Sequence, residues 1–271
     1  MSKSYLDAGE AVDESDVVRI GLNGFGRIGR SVFRAIMENP HLELAGINDV
    51  MDFEDMEYLA KYDTIMGRLE GLELEDDELA IGGTSASLYN IQSPSELPWG
   101  DLDVDVAFEC TGIFRTKDDA SQHLEAGADK VVISAPPKGD KPVKTLVYGV
   151  NHDEYDGEDV VSNASCTTNS VTPVAHVLDE EFGINTATLT TIHAYTGSQT
   201  LIDAPKAKTR RGRSAAENIV PTSTGAAQAT TEILPQLEGK MDGMAVRVPI
   251  PNGSITELVV DLEADVSEED I

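Results

Sequence analysis

Two side chains in this sequence have the types and settings that covalent catalysis needs. Cys166 lies in Ser165-Cys-Thr-Thr-Asn169, just ahead of the apolar-periodic run Val171–Leu178, so the thiol is expected at the start of a helix. Unpaired N–H groups and the positive dipole end at such a start favour thiolate. Taken alone, a cysteine is more often a buried, inert residue. His193 shifts that balance. It follows the β-rich run Ala187–Ile192, in Ile192-His-Ala-Tyr-Thr196, where a strand end can aim an imidazole back at the thiol. A Cys–His pair supplies thiolate at neutral pH and a base for the proton released in catalysis. The second cysteine, Cys110, stands in Glu109-Cys-Thr-Gly112 and reads as lining a cofactor cleft. His41, His123, His152 and His176 read as surface or helix residues. There is no C-x-x-C or H-x-x-x-H pattern, so no metal is expected.

A second constellation lies near the start of the chain. Gly21-Leu-Asn-Gly24-Phe-Gly26-Arg-Ile-Gly29-Arg30 sets G-x-G-x-x-G between a strand, Val17–Asn23, and a helix, Arg27–Met37. Gly24 permits the tight turn, Gly26 lets backbone approach a pyrophosphate, and Gly29 lets the helix pack close, with its N-terminus facing the anion. Asp49 follows Gly29 by 20 residues at the end of the next strand, where an acid can accept from ribose hydroxyls. That carboxylate disfavours a 2′-phosphate, so NAD is preferred to NADP. The competing reading is a structural βα turn with a capping Asp. Arg27, in the first helical turn, is better placed than Arg30 for a phosphate contact.

The third feature is an island of positive charge. Lys206, Lys208, Arg210, Arg211 and Arg213 place five of the 20 basic residues in one short stretch. Guanidinium forks suit phosphate monoesters, and Pro221-Thr-Ser-Thr224-Gly225 offers hydroxyl and N–H donors at the next helix start. Arg247, in Val246-Arg-Val-Pro249, is an isolated cation on an apolar strand. Phosphate binding and intermolecular salt bridges at a subunit contact both account for the basic loop.

The elements that must position these groups fall into two domains after a polar, acidic tail at 1–16. Residues 17–164 alternate strands and helices: Val17–Asn23, Arg27–Met37, Leu42–Ile47, an antiparallel insertion within 67–92, Val104–Glu109, Thr116–Gly127, Lys130–Ser134, Thr145–Val150 and Val160–Asn163. This pattern predicts an α/β, doubly wound Rossmann-type sheet. Residues 165–271 read as an α+β domain with a mainly antiparallel sheet, its helices at 167–182 and 224–234 and its strands at 186–194, 245–248 and 255–262.

Composition narrows the setting. Acidic residues number 49 against 20 basic, a formal charge of −29 that repels nucleic-acid backbones. No apolar run is long enough to span a bilayer, and the N-terminus has no apolar core of a secretory signal. Two cysteines are too few for a disulfide framework, so a reduced cytoplasm is expected. A 40% hydrophobic share excludes a disordered acidic chain. The acidic excess is spread along the chain, as on a surface that is comfortable only in concentrated salt.

The motifs N-G-F-G-R-I-G-R, S-N-A-S-C-T-T-N, T-I-H-A-Y-T, P-T-S-T-G-A-A and G-M-A-V-R-V-P, in that order from Val17 onward, resemble the phosphorylating glyceraldehyde-3-phosphate dehydrogenases, in a halophilic, haloarchaeal-like version. The resemblance implies attack of Cys166 on the aldehyde of glyceraldehyde 3-phosphate with His193 as base, hydride transfer to NAD, and phosphorolysis to 1,3-bisphosphoglycerate. It implies NAD contacts at Gly24, Gly26, Arg27, Ile28, Gly29, Asp49 and Cys110. It further implies substrate-phosphate contacts at Thr196 and Arg247, and an inorganic-phosphate site of Ser165, Thr167, Thr224 and Gly225 with Arg210 nearby. A cytoplasmic homotetramer, with the basic loop packed between subunits, is also implied. Gln92 and Val50 depart from the family's usual residues on the adenine side. Ser267-Glu-Glu-Asp270 starts a helix that has no body, and the family's W-Y-D-N-E segment is absent, Trp99 being the only tryptophan. The chain is therefore expected to be C-terminally truncated and poorly active alone. The rival readings are an erythrose-4-phosphate dehydrogenase and a non-catalytic truncated product.

Overall fold

In a computed structural model of the chain, residues 17–271 are described, and the expected acidic tail at 1–16 lies outside them. The chain forms two units. One runs through Thr145 and takes in Asp156–Asn163; the other comprises Leu146–Tyr155 and Ala164–Ile271.

The first unit contains, in chain order, β1 (Val18–Asn23), α1 (Arg27–Met37), β2 (Leu42–Asn48), α2 (Phe53–Lys61), the short pair β3 (Tyr62–Asp63) and β4 (Gly67–Arg68), β5 (Glu73–Glu75), β6 (Glu78–Ile81), β7 (Thr84–Tyr89), β8 (Val106–Glu109), α3 (Lys117–Glu125), β9 (Lys130–Ile133), β10 (Lys144–Thr145) and β11 (Val160–Ser162). Nine strands form one sheet in the order β10-β11-β9-β8-β1-β2-β7-β6-β5. From β10 to β7 every pairing is parallel; β6 and β5 add antiparallel at the edge. The strand order reverses between β1 and β8, the switch point at which doubly wound sheets bind ligands.

Parallel strands covered on both faces must be apolar, and Ile20, Leu22, Leu44 and Ile47 are buried accordingly. Phe33 and Ile36 of α1 pack on them, each contributing about 1.5–3 kcal/mol of burial. Ile28, in the same helical spacing, is instead half exposed on the first turn of α1. Helix α2, which sequence periodicity did not mark, buries Met56 and Ala60, one turn apart.

The expected strand at 145–150 is cut short. Only Lys144 and Thr145 join the sheet; after them Val147 takes a hydrogen bond from its own N–H to Asn151 Oδ1 at 2.8 Å, and Gly149 turns the backbone at φ 82°. Val147 is apolar because it packs with Ala164, Ala175 and Ile184 of the second unit's core, so residues 146–155 belong there and not with the dinucleotide-type sheet.

In the second unit α4 (Cys166–Phe182) is followed by β12 (Ile184–Ala194), β13 (Val220–Ser223), α5 (Ala226–Ile233), β14 (Met241–Val248) and β15 (Ser254–Leu262). The sheet order is β13-β14-β12-β15, antiparallel except for β14 with β12. Residues 220–223 are strand rather than helix start, and the helix begins at Ala226. Helices α4 and α5 are joined by a buried hydroxyl pair, Thr172 with Thr230 at 2.9 Å. Ser267 and Asp270 make a capping box around the short turn Glu268–Asp270. Among the described residues no helix is long and apolar enough to cross a membrane.

Candidate functional site

The nucleophile candidate is set by what precedes it. Ala164 is one of few non-glycine residues with positive φ, at 58°, a conformation that costs an L-residue about 1–2 kcal/mol. The kink it makes delivers Ser165 in extended geometry as the N-cap of α4, its hydroxyl accepting the Thr168 N–H at 3.1 Å. Cys166 is therefore the first residue of the helix and is exposed.

His193 reaches it from β12. The Sγ–Nε2 separation is 3.3 Å. The hydrogen bond with His193 is the main reason that the Cys166 thiol is held below its ordinary value, against the opposing effect of burial. The reciprocal contact holds the His193 imidazole above its usual range, aided by the Ala194 carbonyl. Its Nδ1 lies 2.7 Å from that carbonyl oxygen, so Nδ1–H can donate there while Nε2 shares the thiol proton.

Strand pairing brings a third group beside this pair, since β12 and β14 align His193 with Arg247. Arg247 Nη1 donates to the Ala194 oxygen at 2.8 Å and to Thr196 Oγ1 at 3.4 Å, and it lies 3.1 Å from His193 Nδ1. An imidazolium must use Nδ1–H on the carbonyl, so the guanidinium there acts as a positive neighbour that opposes histidine protonation. Thr196 Oγ1 also meets Ser198 at 2.9 Å.

The basic loop contributes to this cluster through Arg211. Its Nε donates to Thr222 Oγ1 at 3.0 Å, Nη1 to Ser198 at 3.4 Å and Nη2 to the Ser223 carbonyl at 3.4 Å, while Lys208 caps Ser223 Oγ at 2.6 Å. Arg210, the arginine favoured from the sequence, is exposed on the 3-10 turn Thr209–Gly212. Successive side chains on so tight a turn diverge, and only the second faces the Thr222–Ser223 strand. The Thr224 hydroxyl accepts the Ala226 N–H at 3.2 Å, and Gly225 is the N-cap of α5. Thr167 is buried, with its hydroxyl 4.0 Å from the Cys166 sulfur.

In the first unit a cleft of about 440 Å³ opens at the ends of β1, β2 and β8, lined among others by Gly24, Gly26, Asp49, Gln92, Cys110 and Thr111. Each glycine has its own reason. Gly24 has φ 96°, and a Cβ there would lie 2.5 Å from the Thr111 nitrogen. A Cβ on Gly29 would lie 1.9 Å from the Gly24 oxygen, so the helix could not approach the turn. Around Gly26 a Cβ would meet nothing within 4 Å, so the shape of the turn itself leaves its N-cap open, as backbone approach to a dinucleotide phosphate needs. Asp49 is held in place by the Phe25 N–H on Oδ2 at 2.6 Å and the Met51 N–H on Oδ1 at 3.2 Å. Arg27 and Ile28 stand exposed on the first turn of α1. Arg30 donates to the Phe25 carbonyl at 3.0 Å and is structural. Cys110 is buried, and that burial pushes its thiol up to about 11.

Sequence reasoning missed His123. Expected as a surface or helix residue, it is indeed on a helix, α3, but fully buried, between Trp99 and Glu109. The one local hint was Glu109, a charged residue on an otherwise apolar strand.

Residues 18–117 match the NAD-binding domain of glyceraldehyde 3-phosphate dehydrogenase, and residues 165–271 match the C-terminal domain of the same enzyme. A glyceraldehyde-3-phosphate dehydrogenase of Haloarcula vallismortis is 70% identical over 259 residues, which are 95% of this chain and 77% of that protein. The proteins of the same name from Streptomyces coelicolor and Geobacillus stearothermophilus are 50% and 47% identical, each over 94% of this chain and 76% of the relative.

Proposed function

Because the chain belongs to the glyceraldehyde-3-phosphate dehydrogenase family, we propose that its NAD-dependent oxidation of glyceraldehyde 3-phosphate runs through Cys166 as nucleophile and His193 as base, and that inorganic phosphate completes it. The observation that carries this reading is the 3.3 Å Sγ–Nε2 contact at the start of α4. The Cys166 thiolate adds to the aldehyde carbon while the His193 imidazolium protonates the alkoxide that forms, and the hemithioacetal hydroxyl then returns that proton to Nε2 as the carbon is oxidised to a thioester. NAD, when bound, supplies the hydride acceptor; Gly24, Gly26, Arg27, Ile28, Gly29, Asp49 and Cys110 are the residues that would hold it. Phosphate then attacks the thioester and Cys166 leaves as thiolate, which the adjacent imidazolium stabilises.

Thr196 and Arg247 take the substrate phosphate, with charge-assisted hydrogen bonds from the guanidinium. Ser165, Thr167, Thr224 and Gly225 surround the incoming phosphate, with Arg211 as its cation in place of Arg210. The Ser165 hydroxyl caps α4 and the Thr224 hydroxyl accepts the Ala226 N–H just ahead of α5, so both are oriented before the anion arrives.

The reading extends to a cytoplasmic homotetramer working in concentrated salt. Leu201, Ile202 and Ile219, which flank the basic loop, are exposed in the single chain and suit a subunit contact. The −29 charge suits screening by salt. Sedimentation and melting temperature at low and multimolar KCl test both: equal values at the two salt levels would refute the salt reading. The reaction itself is tested by NADH formation from glyceraldehyde 3-phosphate with and without inorganic phosphate. Phosphate dependence is expected. Undiminished turnover without phosphate would point instead to hydrolysis, as in an erythrose-4-phosphate dehydrogenase.

A further inference from the structure

Below the cleft of the first unit lies a buried carboxylate that the chemistry described above does not use. Glu109 ends β8, is 1% exposed, and stands in register with Asn23 at the end of β1, which in turn pairs with Asn48 at the end of β2. Four donors converge on it. Oε1 accepts the Thr111 N–H at 2.8 Å and the Thr111 hydroxyl; Oε2 accepts Asn23 Nδ2 at 2.6 Å and faces His123 Nε2 at 3.2 Å.

The direction of every bond is dictated. Trp99 Nε1–H, which can only donate, points at His123 Nδ1 at 3.0 Å. The histidine must therefore be neutral, with its proton on Nε2, donating to Glu109. On the other side Asn48 Oδ1 accepts the Ile91 N–H at 2.8 Å, so its amide nitrogen donates to Asn23 Oδ1 at 2.7 Å and to the Ile91 carbonyl at 2.9 Å. Asn23 is left with its nitrogen for Glu109. Apart from the Asn48 amide's bond back to the Ile91 carbonyl, the bonds run one way, from the Ile91 loop and from Trp99, and end on one carboxylate. Neutral donors fill its four acceptor sites.

A buried charge without a cationic partner is expensive, and packing alone does not need one. What this carboxylate ties together is specific: Asn23, Asn48, Ile91 and Thr111 all line the cleft, and Thr111 is the residue against which Gly24 packs. We propose that Glu109 is a positioning residue for the dinucleotide, holding the three strand ends and the Thr111 and Ile91 loops in the binding arrangement, with His123 and Trp99 fixing its orientation from behind. This rests on the cleft being the NAD site.

The replacement Glu109→Gln changes one atom and sets donor against donor in either orientation: the new amide nitrogen confronts Asn23 Nδ2 and His123 Nε2–H or, turned over, the Thr111 N–H. Asn23 cannot invert without facing Asn48 Nδ2, and His123 cannot move its proton while the indole donates to Nδ1. NAD affinity is expected to fall at least tenfold, with the iodoacetamide alkylation rate of Cys166, in the other unit, within twofold of wild type when NAD is absent. His123 does not line the cleft, and it supplies an independent pair of variants. His123→Leu is expected to weaken NAD about fivefold. In His123→Gln the amide oxygen can accept from the indole and the N–H can donate to Glu109, and affinity is expected to return to within twofold. Titration of the unaltered protein with NAD tests the cleft assignment itself, and the ratios between variants test the network. An NAD dissociation constant within twofold of wild type in Glu109→Gln, whatever its melting temperature, would overturn the proposal. Should that variant fail to fold, equal affinities of the Leu and Gln variants at position 123 would overturn it.

Discussion

Cys110 and Cys166 each stand at an element boundary, one just after β8 and the other at the start of α4, and their thiols are driven in opposite directions. Cys110 is shut in behind Gly29 and beside Glu109; burial lifts it to about 11, and the neighbouring carboxylate adds to the lift. At pH 7 about one molecule in 10⁴ would carry that thiolate. Cys166 is exposed, starts a helix, and has His193 at 3.3 Å, which pulls it below its ordinary value. The same contrast holds for the two sites as a whole. The first unit builds its cleft from backbone shape and neutral donors gathered on one buried carboxylate. The second builds its cluster from a thiol and an imidazole that share a proton, beside two fixed guanidinium charges. Shape serves a large ligand that must be held; labile protons serve chemistry that must proceed.

The sharpest way to break this division is Cys166→Ser, expected to lower acyl transfer on the order of 10⁴-fold or more while NAD affinity stays within twofold. A comparable loss of NAD affinity would mean that the two functions are not separable. Next in size is His193→Asn, expected to cost about 10²–10⁴-fold in turnover. Its pH signature is more telling. In the native protein the thiol is lowered and the imidazole raised, so the rise of iodoacetamide alkylation with pH should come below that of a free thiol. Without the imidazole the rise should move to alkaline pH, toward about 8.5 for a free thiol; an unmoved profile would show that the helix start alone activates Cys166. The smallest expected effect compares neighbours in the basic loop. Arg211→Ala should raise the KM for inorganic phosphate about 10–100-fold, the loss of a charged hydrogen bond of about 1.5–3 kcal/mol, and Arg210→Ala less than threefold. The reverse order would restore Arg210 to the site.

Much of this could be read from the residues because their physics is local. The glycine turn, the helix that starts at Cys166 and the strand that ends at His193 are each announced within ten residues. The interruption at Val147 could not be seen that way. Its apolar side chain fits a strand of the first sheet equally well, and only its packing on Ala164 and Ile184 assigns it to the other unit. Arg210 and Arg211 are likewise indistinguishable until a 3-10 turn gives each a direction. His123 was hidden for the same reason, since its partners Trp99 and Glu109 are 24 and 14 positions away in the chain. Phe53–Lys61 was missed although its signals are local: Asp52 precedes it, acids fill its first turn, and Met56 and Ala60 share a face.

The positive stretch from Lys206 to Arg213 also bears on how quickly an anion can be captured. In dilute buffer a cationic island on a molecule of charge −29 competes with a repulsive far field, and diffusional encounter with phosphate esters would be slowed before any contact forms. At about 1 M salt the screening length shrinks to about 3 Å. The far field then vanishes, and with it the penalty on approach, while Arg211 and Arg247 still act over hydrogen-bond distances. A protein so acidic becomes kinetically neutral to its anionic substrates in brine, so association there is governed by geometry at the site rather than by the charge of the whole.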